Sequence, residues 1–126
     1  MIASLDHLVL TTARLDDCIR FYTEVLGMKV ETFAAGRIAL KFGHQKINLH
    51  QAGKEFEPKA KTPTPGALDL CFIAHGPLDE VIRHLEQYQI KIELGPVPRT
   101  GAEFPLRSIY IRDPDLNLIE ISERAE

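Results

Sequence analysis

The sequence predicts an α+β fold in which one βαβββ module is written twice, and three observations carry that reading. Residues 68–90 repeat the layout of residues 6–28. The helical stripe Leu15, Cys18, Ile19, Tyr22 recurs 63 residues later as Leu78, Val81, Ile82, Leu85, while His7 and Asp69 lie 62 residues apart. Between these stripes run short apolar or alternating stretches separated by turn residues, the pattern of strands rather than of a helical bundle.

Taken in order, residues 4–10 form a Leu- and Val-rich strand, and Thr11 and Thr12 are candidate caps for the helix that follows. That helix keeps its apolar stripe to Leu26 and stops at Gly27. Met28–Phe33 is a second strand, Ala34-Ala35-Gly36 a turn, and Arg37–Phe42 an alternating third strand. Gly43-His44-Gln45 signals a hairpin into Lys46–His50. This completes module one, residues 4–52. Residues 53–66 hold Pro58, Pro63, Pro65 and three lysines without periodicity, and read as a linker or a flap over a cavity. Module two, residues 67–123, opens with the strand Ala67–Ala74. After its helix come a strand Ile90–Leu94, a Pro-containing loop Gly95–Gly101, a strand Arg107–Arg112, the turn Asp113–Asn117 and the strand Leu118–Ser122. The whole is expected to be one domain whose mixed sheets curl around a cavity.

Composition narrows the function classes. A chain of 126 residues with 44% apolar and 26% charged residues has the make-up of a globular domain. A net charge of −3 gives no general attraction to nucleic acid. No apolar run approaches the ~20 residues of a membrane span, and the N-terminus lacks a basic-then-apolar leader, so a cytoplasmic protein is expected. Cys18 and Cys71 fall at apolar positions and read as two buried thiols.

His7 is the most informative residue. A histidine inside an apolar strand is costly unless something uses it. Asp69 takes its place in the second module, and Glu120 lies on the closing strand. An imidazole and a carboxylate suit Zn, Ni, Fe or Mn. Such a metal would chelate a bidentate small-molecule substrate through adjacent oxygens and stabilise an enolate or alkoxide. Asp69 or Glu120, the catalytic candidates, would shuttle a proton. Tyr110 is a candidate to hydrogen-bond a ligand, and Arg37 and Arg107 to bind an anionic one.

Leu5-Asp6-His7-Leu8-Val9-Leu10, the run Cys18–Met28 and the string Asp113-Pro114-Asp115-Leu116-Asn117-Leu118-Ile119-Glu120-Ile121 resemble the opening and closing motifs of the vicinal oxygen chelate superfamily. That superfamily includes glyoxalase I, fosfomycin and bleomycin resistance proteins, and extradiol dioxygenases. The resemblance covers nearly the whole chain and implies a metal ligand from the first and last strand of each module. His7 and Glu120 match two of those places, and Asp69 stands where histidine is common. For the fourth, Asn48 aligns with Glu120, while His50 lies two residues on, on the same strand face, and is the stronger donor. The metal set so implied is His7, His50, Asp69 and Glu120, with Asn48 as a substrate-binding amide. Relatives usually carry glycine at Leu116, and Asn117 is expected to take up the strained conformation instead.

The resemblance implies a lyase- or isomerase-type metalloenzyme acting on a small oxygenated substrate. Two alternatives stand beside it. One is a metal-free binding or resistance protein. The other is an extradiol-type dioxygenase using His7, His50 and Glu120. A homodimer is implied, with a site built within one chain or across two, and neither nucleic acid nor membrane is expected as a partner.

Overall fold

A computed structural model describes residues 1–126 and divides the chain into two compact units, Met1–Ala67 and Leu68–Glu126. Each unit is one βαβββ module around a four-stranded mixed sheet. In the first, β1 (His7–Thr12) leads into α1 (Leu15–Arg20), which continues as a π-helical turn over Phe21–Val25, then β2 (Lys29–Phe33), β3 (Arg37–Phe42) and β4 (Gln45–Gln51). The sheet order is β1-β4-β3-β2, with β1 parallel to β4 and the other pairs antiparallel. In the second, β5 (Asp69–Ile73), α2 (Leu78–Gln87), β6 (Leu94–Thr100), β7 (Pro105–Arg112) and β8 (Leu118–Arg124) give the same order, β5-β8-β7-β6.

Strand alternation divides each sheet into an apolar and a polar face. In the first unit Leu10, Leu40, Ile47 and Leu49 share one face and are buried, as are Cys18 and Tyr22 of the helical stripe. In the second, Ile109, Ile111, Ile119 and Ile121 form the corresponding face with Leu78 and Leu85 of α2. Each such aliphatic side chain contributes roughly 1.5–3 kcal/mol on burial.

Four local expectations are corrected. Residues 95–100 are strand, not loop, because Pro96 and Pro98 lie on an edge strand, where a missing N–H is tolerated. Gly95 is required there: at φ +110° any Cβ would collide with the Ser108 carbonyl. Leu116, not Asn117, adopts the left-handed conformation, at φ +71°. Leucine there costs about 1–2 kcal/mol relative to glycine, and hydrogen bonds between Asp113 and Asn117 hold the turn. Neither Thr11 nor Thr12 is the cap of α1, which is Arg14; the Thr12 hydroxyl instead accepts the Arg14 N–H at 3.0 Å. Finally, Cys71 is exposed while Cys18 is buried.

The segment 53–66 belongs to the first unit. Its Phe56 packs edge-on against His50, with ring centroids 5.7 Å apart.

Candidate functional site

The polar sheet faces carry the candidate residues. In the first unit, strand pairing puts Val9 opposite Asn48 and Thr11 opposite His50, with Ala39 on the other side of Asn48. In the second, Cys71 and Tyr110 flank Glu120. Asn48 and Glu120 therefore occupy the same position in the two modules, as do His7 and Asp69. His50 corresponds to Ser122, which pairs with Ile73 and Ser108.

His7 is exposed at the start of β1, and its Nδ1 lies 2.8 Å from an Asp6 carboxylate oxygen. The carboxylate has no proton to give, so Nδ1 donates, and in the neutral imidazole the lone pair is then on Nε2. That hydrogen bond holds the Asp6 carboxyl below its ordinary range. A carboxylate behind one ring nitrogen and a free lone pair on the other is the arrangement of a metal-ligating histidine.

His50 is arranged differently. It is buried, and an Arg37 guanidinium nitrogen stands 3.3 Å from its Nε2. Arginine only donates, so Nε2 is the unprotonated nitrogen and its lone pair is already engaged. Burial, and secondly the Arg37 charge, push the His50 pKa below its usual value near 6.5, against the opposing pull of Glu55 and Glu57. A neutral imidazole with its lone pair committed and a cation beside it is a poor metal ligand. The chemistry that made His50 the stronger donor on paper is spent on Arg37.

Asn48 Oδ1 is buried and has no hydrogen-bond partner. Its cross-strand neighbours Val9 and Ala39 carry no side-chain donor to offer. Glu120 is half-buried and accepts a hydrogen bond from Ser122 Oγ at 3.3 Å, and Ser122 in turn shares one with Ser108 at 2.7 Å. The thiol of Cys71 lies 3.4 Å from the same Ser122 oxygen. Partial desolvation of its sulfur, with the charges of Glu120 and Asp69 adding to it, raises the Cys71 pKa and keeps the thiol protonated. Asp69 is exposed at the start of β5. Tyr110 lies on the Glu120 face, its hydroxyl accepting the Arg99 Nε–H at 2.8 Å.

Arg107 corrects the sequence reading. It lies on the opposite face of β7, where it pairs with Glu123 at 3.1 Å and with Asp79 of α2 at 3.3 Å. Glu123 also accepts the Leu78 N–H at 2.6 Å, capping the start of α2. Arg107 thus ties its strand to a helix, and two carboxylates meet its charge. Arg37 has no carboxylate partner and packs against Phe33 and Phe56. The sequence carried no signal for Phe56, which sits in an aperiodic segment, or for the Ser108–Ser122 pair, whose residue types are common in any sheet.

Within neither unit do three His, Cys, Asp or Glu side chains converge as a metal set. Taken one unit at a time, His7 in the first and Glu120 in the second each carry donor chemistry suited to a divalent cation, whereas the lone pair of His50 is engaged by Arg37.

The family model for the glyoxalase/bleomycin resistance protein/dioxygenase superfamily matches residues 4–121. The chain is 57% identical over 121 residues to the glyoxalase domain-containing protein RDO1 of Mycosarcoma maydis, covering 96% of this chain and 68% of that protein. It is 57% identical over 123 residues to virulence protein STM3117 of Salmonella typhimurium, covering 98% and 85%. The crystal structure of STM3117 superposes with a TM-score of 0.97 over 99% of both chains. A lactoylglutathione lyase from Agrobacterium tumefaciens, 25% identical, superposes at 0.72 over 97% of this chain and 94% of its own. The chain belongs to the glyoxalase/bleomycin resistance protein/dioxygenase superfamily.

Proposed function

We propose that this protein is a glyoxalase-type metalloenzyme of lyase or isomerase class, acting on a small oxygenated molecule, with His7 and Glu120 as its principal metal ligands. The observation that carries the proposal is the Asp6–His7 pair, which leaves a single oriented lone pair at the family's first-strand ligand position. Membership of a superfamily with a lactoylglutathione lyase among the structural neighbours supports the lyase reading. When bound, a divalent metal (Zn, Ni, Mn or Fe) polarises adjacent substrate oxygens and lowers the cost of charge developing there. Ser122 holds Glu120 by one oxygen. Asp69 is the second carboxylate available to take or return a proton. Tyr110, its hydroxyl oriented by Arg99, is a hydrogen-bonding group for the substrate.

The test is metal analysis of protein purified without an affinity tag, for the parent and for His7→Ala and Glu120→Ala. Both variants are expected to lose bound metal. Unchanged metal content in both rejects the proposal. Sedimentation analysis of the same samples checks the homodimer that accompanies this reading.

A second reading has its own observation. Asn48, an uncharged amide, occupies the position that carries Glu120 in the other module, so the donor set is one charge short. That favours a metal-free binding protein. Tight ligand binding by metal-stripped protein, without turnover, would establish it.

A further inference from the structure

We infer that the polar face of the first sheet contains an oxyanion-binding subsite, built on Arg37 and Asn48, that takes a small hydroxy acid. It deepens the reading of this protein as a binder of small oxygenated molecules by assigning the ligand an anionic group, and it does not depend on a metal.

Three features support it. Arg37 is half-buried and has no carboxylate partner, yet it is held in place. One nitrogen donates to His50 Nε2 at 3.3 Å. The guanidinium carbon lies 4.9 Å from the Phe56 ring centroid and 5.4 Å from that of Phe33. Those contacts orient the guanidinium without neutralising it, so its remaining N–H groups suit a planar acid group. The acids whose charges reach His50 are engaged elsewhere, Glu55 accepting the Gly53 N–H and Glu57 pairing with Lys59, and Glu31 pairs with Lys41.

The second feature is the Asn48 amide oxygen, buried and without a donor. An unpaired buried acceptor is destabilising, a cost that a ligand hydroxyl or amine would offset. The third is spacing. Asn48 and His50 are two residues apart on β4 and share a face, about 7 Å along the strand, and Arg37 comes from the neighbouring strand beside His50. A hydroxyl close to an acid group spans that interval when a hydrogen bond is added at each end. A second cation, Lys46, packs over Phe33 at 4.0 Å and adds to the positive potential.

The experiment is an NMR titration of the folded full chain, kept metal-free with chelator. The probes are glycolate, acetate, glycolamide and inorganic phosphate. Glycolate is expected to bind about tenfold or more tightly than glycolamide and to shift the Arg37 and Asn48 side-chain resonances. Arg37→Gln is expected to abolish that preference. Asn48→Leu is expected to bring glycolate down to the affinity of acetate while leaving acetate unchanged. The chelator keeps this titration apart from the metal reading, which the metal content of His7→Ala and Glu120→Ala tests on its own. Equal binding of glycolate and glycolamide, or undiminished glycolate binding in a folded Arg37→Gln protein, overturns the inference. Phosphate binding tighter than glycolate, with Asn48→Leu neutral, overturns the hydroxy-acid assignment. Arg37→Lys provides a check should the glutamine variant fold poorly, with a loss of at least severalfold expected from removal of the planar fork.

Discussion

Asn48 and Glu120 sit at one and the same place in two copies of a module, and their surroundings are opposites. Asn48 lies between Val9 and Ala39, neither of which offers a side-chain donor, and its oxygen is left unpaired. Glu120 lies between Cys71 and Tyr110 and is held by Ser122. Two residues further along, His50 locks onto Arg37 where the other half has the Ser122–Ser108 hydroxyl pair. The duplicated backbone has kept strand order and register. The polar face has diverged into a cationic, aromatic-framed half and a carboxylate-and-hydroxyl half. Two copies of one scaffold can therefore carry unlike polar groups at matched positions without any change of fold.

The halves differ most sharply in how they turn the hairpin before the last strand, and the largest effect is expected there. The first uses only Gly43 and His44 between β3 and β4. The second uses a five-residue turn built on the buried Asp113. Its Oδ1 accepts from the Asp115 and Asn117 N–H groups, both at 2.9 Å, and its Oδ2 from Asn117 Nδ2 at 2.8 Å. Asn117 Oδ1 accepts from Leu68 N–H at 2.9 Å, linking the turn to the start of β5. This network offsets the strain at Leu116. Asp113→Ala leaves several buried donors unpaired and should cost about 3 kcal/mol in urea unfolding. Gly43→Ala, which only strains a left-handed position, should cost about 1 kcal/mol. Equal losses would mean that the two turns do the same work.

The next effect has the opposite sign. Replacing Asn48 by leucine removes a buried, unsatisfied oxygen from between two apolar neighbours and keeps the number of side-chain heavy atoms. Stability should rise by about 1 kcal/mol. Glu120→Leu removes a carboxylate that Ser122 holds, leaves that hydroxyl without its acceptor, and should bring no such gain. A destabilised Asn48→Leu protein would show that the amide has a structural partner after all.

The contrast also explains what the sequence made legible. Repeat spacing and strand alternation were enough to reveal the doubled module, the two helices and most strand boundaries, because they depend only on where apolar residues fall. The edge strand β6 was hidden because Pro96 and Pro98 read as loop, and only its edge position makes them acceptable. His7 stood out as a polar residue in an apolar run. The role of His50 could not be read, because it depends on which nitrogen Arg37 meets. Arg37 and Arg107 looked alike as lone strand arginines. Strand parity puts them on different faces of their sheets, and only the contacts on each face separate a paired arginine from an unpaired one.

The smallest effect is a pH dependence confined to the first half. The His50 pKa is depressed in the folded chain, first by burial and then by the Arg37 charge. The unfolded chain therefore takes up the proton first as pH falls, so the stability linked to neutral His50 is fully present above about 6.5 and is lost progressively below it. Arg37→Gln removes the cation and the donor to Nε2 while leaving the burial, so the His50 pKa should rise toward its ordinary value and the slope should flatten. Ser122, at the matched position in the other half, does not titrate, and Ser122→Ala should leave the slope as it is. Ring-proton NMR of His50 and urea unfolding at pH 7.5 and 5.5 read the two effects separately. A His50 that titrates at or above 6.5 in the parent would mean that Arg37 does not hold the ring in its neutral form. The proposed oxyanion subsite would then lose the contact that orients its arginine.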